Sequence, residues 1–120
     1  MRIPVTVSKE EVVSKLSAAA ARHGLAYQEF DWLAPLYIPQ ENPLVEMLMS
    51  VYRQLTGDQS SQPSVSGGAT YARAIPNCVA FGALFPAALS TEHQPNERVV
   101  LDELYQAMEI YAHAIYELTR

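Results

Sequence analysis

Two short segments carry the residue types from which chemistry could be built: Ser66-Gly67-Gly68-Ala69-Thr70-Tyr71-Ala72-Arg73, and His93-Gln94-Pro95-Asn96-Glu97. Consecutive glycines let the backbone take positive φ or come close to a ligand, and the amides of such a bend can form an anion-binding concavity. A histidine flanked by Glu92, Gln94, Asn96 and Glu97 can stay neutral and lend a ring nitrogen to a metal. Each has an ordinary explanation too, since most Gly-Gly pairs are plain turns and most isolated surface histidines are only solvated. Arg2 and Arg73 bear planar guanidinium groups suited to bidentate grip on a carboxylate, although a terminal arginine is usually just hydrated. There is no His-x-x-x-His or His-x-Asp pair, no defensible Ser/His/Asp arrangement and no phosphate loop. Composition alone therefore yields no catalytic set.

Helices are the clearest elements available to position these residues. Ser8 with Glu11 reads as a capping box, and Val12, Leu16, Ala19 and Ala20 share one face until Gly24, predicting a helix over 9–23. Asn42-Pro43 reads as an N-cap followed by proline in the first turn, and Leu44, Met47, Leu48, Val51 and Leu55 form a stripe ending before Gly57. A third and longest helix is predicted over 99–119, with Leu101, Leu104, Met108, Tyr111, Ala112 and Ile115 at helical spacing and Asp102 and Glu103 in its first turn. His23 closes the first helix and His113 lies on the polar side of the third, so neither is assigned a function. Tyr105, Tyr111 and Tyr116 read as packing residues.

Strands are expected between the helices: Ile3–Val7 as an edge strand around Pro4, Leu25–Phe30 by alternation, Pro63–Ser66 as a short one and Cys78–Phe85 as a buried one. The segment 87–98 is then a loop carrying His93. This order argues for an α/β fold with a boundary at the Pro/Asn/Glu-rich stretch near Pro39. Two strands and one helix before that boundary make only half of a small sandwich, which leaves apolar surface to be covered.

Charge narrows the partners. Eight Lys+Arg against thirteen Asp+Glu leave a net charge of -5, which repels nucleic-acid phosphates and anionic lipid surfaces. No apolar run is long enough to span a bilayer and Met1-Arg2-Ile3-Pro4 has no signal-peptide pattern, so a cytoplasmic home is expected. The single cysteine, Cys78, sits in an apolar run and reads as structural.

The chain resembles the C-terminal portion of the dipeptidase V-like, Xaa-His dipeptidase branch of the zinc aminoacylase and carboxypeptidase superfamily. The resemblance is carried by Gly67-Gly68 with Thr70-Tyr71-Ala72-Arg73, Val79-Ala80-Phe81-Gly82, Phe85-Pro86, His93 with Asn96-Glu97, and Ile110-Tyr111-Ala112 with Ala114 to Leu118. Arg2 with Pro4, Leu36-Tyr37 with Pro39, and Val51-Tyr52 with Thr56-Gly57 support it. Ala69 and Ala87 depart from glycines common in relatives.

That resemblance implies that 1–38 is the second half of a ferredoxin-like lid domain and that 39–120 is the returning segment of a zinc-peptidase catalytic domain. It implies His93 as a ligand to one of two zinc ions, Arg2 as the grip on the substrate's terminal carboxylate, and Gly67, Gly68 and Thr70 as the substrate-pocket lining. In the intact family site, zinc polarises the scissile carbonyl of a dipeptide and activates a water while a glutamate acts as base. That glutamate and the remaining ligands are implied to lie in a part of the protein that these residues do not include. The expectation is a fragment inactive alone, with no catalytic residue of its own. The alternative is a non-catalytic truncated module that binds protein or self-associates through its uncovered apolar faces.

Overall fold

The computed structural model describes residues 3–68, 70–82 and 84–120. Three α-helices, α1 (Lys9–Arg22), α2 (Pro43–Thr56) and α3 (Leu101–Thr119), and a short 3-10 turn at Tyr71–Ala74 are its regular elements. Residues 1–37 and 67–76 form one compact unit, and 38–66 and 77–120 another.

The helices form where their spacing predicts, and their ends show why. Ser8 Oγ accepts the Glu11 amide at 3.2 Å, while the Glu11 carboxylate turns to Lys15 at 2.6 Å. α1 stops at a left-handed Gly24, φ +67, whose amide donates to Ala21 while the Leu25 amide donates to Ala20, together satisfying two of the orphan carbonyls of the last turn. Asn42 Oδ1 accepts the Leu44 amide at 2.9 Å at the start of α2, and Gly57, φ +74, closes its other end by donating to Arg53. The third helix begins at Leu101 rather than Val99, with Val100 as an N-cap that offers no side-chain acceptor.

The second unit has an apolar core. Leu48 and Val51 of α2 meet Ile110 and Ala114 of α3, with Leu44, Met47, Tyr52 and Leu55 around them. Burying an aliphatic side chain of this size contributes about 1.5–3 kcal/mol. The first unit is different. α1 buries no residue among those described, and the unit is tied by polar contacts: Lys9 Nζ lies 2.7 Å from Glu29 Oε1 and 5.4 Å from the Trp32 ring centre.

The expected α/β fold is not what forms: the described residues contain no strand, and the chain is helical with extended connections. The reason lies in pairing. A strand is stabilised by satisfying its row of N–H and C=O groups on a neighbour, and an isolated candidate gains nothing from extended geometry. Ile3–Val7 instead makes a turn, with the Val7 amide donating to Pro4 at 3.2 Å. Residues 25–30 take no regular structure, with Phe30 fully exposed, and 63–66 form no strand. The described residues of 78–85 alternate without forming a strand: Val79, Phe81 and Phe85 pack on the α2–α3 core while Ala80 and Gly82 are exposed. Tyr111 fixes it there, donating to the Phe81 carbonyl at 3.3 Å and meeting the Phe81 ring edge-on at 5.9 Å. No helix among the described residues is long and apolar enough to cross a membrane.

Candidate functional site

His93 stands at the tip of a loop that closes on itself. The Thr91 hydroxyl donates to the Arg98 carbonyl at 3.1 Å and accepts the Arg98 amide at 3.2 Å, pinching the ends of the loop together. Inside it, Gln94 N–H donates to Thr91 and Glu97 N–H to Gln94, each at 3.2 Å. Glu97 Oε2 accepts the His93 amide at 3.3 Å. His93 and Asn96 both take φ +62, a left-handed conformation that non-glycine residues adopt at a cost of about 1–3 kcal/mol and hold only where neighbours enforce it. The imidazole is exposed to solvent.

Glu92 adjoins His93 in the chain. The Ser90 hydroxyl bonds the Glu92 carboxylate, and that bond, with the residue's own amide and the charge of His93, holds the Glu92 carboxyl below its usual range. Glu92 stays ionised at neutral pH.

The glycine bend lies in the first unit. Gly67 and Gly68 are exposed and bent, and Thr70 follows as the N-cap of the 3-10 turn, its Oγ1 accepting the Ala72 amide at 3.2 Å. Arg73 fastens the turn from behind, donating through Nη2 to the Leu33 carbonyl at 2.8 Å and the Ala34 carbonyl at 2.7 Å. Ala72 is buried beneath it and Tyr71 projects into solvent. Arg2 and Ala69 lie outside the described residues.

Of the residues that the sequence singles out, Gly67, Gly68 and Thr70 thus share one local turn in one unit, and His93 belongs to the other. Sequence reasoning missed Thr91 and Arg98 around His93, and it names Glu97 and Arg73 without the roles they take here, holding the His93 loop and the turn at Thr70. A hydroxyl residue seven positions before the residue whose backbone it grips has no spacing signature, so Thr91 carried no signal. Arg73 was visible only as one more cation; its role depends on two carbonyls forty residues earlier in the chain.

One imidazole does not make a zinc site. A catalytic zinc takes about three protein ligands, and the described residues contain no group of three or more His, Cys, Asp and Glu side chains that could hold a metal ion. Glu97 is committed to the loop and Glu92 to Ser90, so the donors nearest in sequence already serve the fold.

Comparison with known proteins gives the chain's family. The chain is 36% identical over all its residues to "Putative dipeptidase YtjP" of Bacillus subtilis and 34% identical over 98% of its residues to "Putative dipeptidase SH1171" of Staphylococcus haemolyticus. It spans about a quarter of the length of each. Residues 24–117, well over half of the chain and including both the glycine bend and the His93 loop, match peptidase family M20/M25/M40, a family that uses zinc. The chain belongs to peptidase family M20/M25/M40.

Proposed function

We propose that this chain contributes one zinc ligand, His93, and one substrate-facing turn, Gly67-Gly68 with Thr70, to a two-zinc dipeptidase whose other ligands and base come from polypeptide outside it. The observation that carries the reading is the match itself: a likeness covering 98–100% of the chain to proteins named as dipeptidases, of which it spans 25%. The geometry supports it. His93 is held in a left-handed loop with its imidazole exposed, which costs backbone strain and makes sense where a ring must meet something that the loop does not itself supply. Arg2 would grip the terminal carboxylate of the dipeptide, and the bend would line the pocket with backbone amides.

The chain's own chemistry is then limited to holding and orienting. His93 offers a ring nitrogen, and Glu97 keeps that residue's backbone in place. No proton transfer is assigned to any residue here. The test is a hybrid in which this chain replaces the matching quarter of the Bacillus protein. Dipeptide hydrolysis by the hybrid should fall on the order of a hundredfold or more when His93→Ala removes a ligand. An active hybrid indifferent to that substitution overturns the assignment.

A further inference from the structure

The third helix is apolar on two sides. On its inner side Ala107, Ile110 and Ala114 are buried, Ile110 and Ala114 meeting Leu48 and Val51 of α2, and Ile110 is only 4% exposed. A second stripe runs its whole length: Leu101, Leu104, Tyr105, Met108, Ile115 and Tyr116, at intervals of three, four and seven residues that stack on one helix face. These six are exposed, Leu101 at 64%, Met108 at 56% and Ile115 at 61%. Val99 and Val100 extend the patch past the helix start. Only a narrow polar strip, Asp102, Gln106, Glu109 and His113, separates the two apolar faces on the remaining side.

A helix packed on one side alone needs a single apolar stripe about 100° wide, and its opposite face is polar. α3 departs from that rule. Six large exposed side chains in one stripe form an apolar surface of the kind that marks docking sites.

We propose that the outer face of α3 is the seat of the peptidase domain's remaining polypeptide, the three quarters of the relatives' length that this chain does not span. Two observations choose this occupant over a second copy of the chain. The match to both relatives runs through α3, so in proteins about four times as long the corresponding segment sits in a much larger polypeptide available to cover it. Self-pairing would also set two acidic helices side by side, since α3 carries Asp102, Glu103, Glu109 and Glu117 against Arg120 alone, and Arg120 already pairs with Glu117. The proposal rests on the dipeptidase reading above only for the identity of the partner.

The experiment co-expresses the full 120-residue chain with the part of the Bacillus protein outside its match, and follows co-purification, dipeptide hydrolysis and the peroxide oxidation of Met108. Expected are a one-to-one complex and Met108 oxidation slowed about tenfold or more relative to the chain alone, as for a thioether moved from water into an interface. Leu104→Glu or Met108→Glu should abolish the complex with helix content unchanged by circular dichroism, and His113→Glu on the polar strip should leave it intact. Failure of the chain to co-purify with the remainder, or to hold an insoluble remainder in solution, overturns the proposal. So does a homodimer of the chain that Met108→Glu dissolves, because the seat then belongs to a second copy. A complex that forms through α3 but hydrolyses nothing upholds the docking surface and removes the dipeptidase reading; hydrolysis insensitive to Leu104→Glu does the reverse.

Discussion

The two compact units of this chain are held by different forces. In the second, Leu48, Val51, Ile110 and Ala114 close an apolar core between α2 and α3, to which the 78–85 segment adds Val79, Phe81 and Phe85. In the first, Ala72 is the one buried hydrophobic residue among those described, and order comes from directed polar contacts: the Arg73 fork on two carbonyls, the Lys9 contacts with Glu29 and Trp32, and the Gly24 cap. Apolar packing is cooperative and insensitive to salt, whereas exposed ion pairs are weak and screened. The second unit is therefore the stable one, and the glycine bend is carried by the looser of the two. A unit with few buried contacts opens locally at small cost.

That contrast can be broken most severely in the core. Ile110→Ala should cost about 2–5 kcal/mol, read as a fall in the denaturation midpoint and loss of protection at α2 and α3 amides in hydrogen exchange. Exchange in 9–35 should change far less; an equal loss in both units would mean that they unfold as one. Next comes the Arg73 clamp. Arg73→Gln removes a charged donor from two carbonyls and should cost about 1.5–3 kcal/mol locally, raising exchange at 70–75 while leaving α2 untouched. Smaller still, Asn42→Ala should cost about 1 kcal/mol by uncapping α2. Smallest is Lys9→Met, within about 1 kcal/mol, with the difference from the parent vanishing at high salt.

Acid sharpens the comparison from the other side. Just beyond α2, hydrogen bonds from the Ser61 and Ser60 hydroxyls, the Ser60 amide and the Tyr52 hydroxyl hold the Asp58 carboxyl far below its ordinary value of 3.8. A carboxyl depressed in the folded state contributes fully above the unfolded-state pKa and loses that contribution as pH falls through the folded one. Melts recorded from pH 5 downward should therefore show Asp58→Asn narrowing its deficit against the parent, because the parent alone loses this contribution. A deficit that stays constant to the lowest pH would contradict the network.

Legibility followed the range of the interactions. The three helices were readable because their signals are local: Ser8, Gly24, Asn42-Pro43 and Gly57 sit beside what they cap, and the apolar stripes repeat within a turn. The strands were misread because pairing is not local. The run from Cys78 to Phe85 has a strand's composition and even its alternation, yet strand formation depends on a neighbour that the residues themselves cannot announce. The candidate site divided in the same way. His93 and the Gly-Gly bend stood out by residue type and by resemblance, while Thr91, Glu97 and Arg73, which hold them, are ordinary residues made important by partners up to forty positions away.

Zinc titration of the purified chain by calorimetry, followed by a dipeptide hydrolysis assay on the same sample, bears most directly on the claim that His93 is one donor of a shared centre. The account predicts weak, single-donor binding and no turnover, with even that weak heat lost in His93→Ala. Two tight zinc sites and hydrolysis by these 120 residues alone would contradict it.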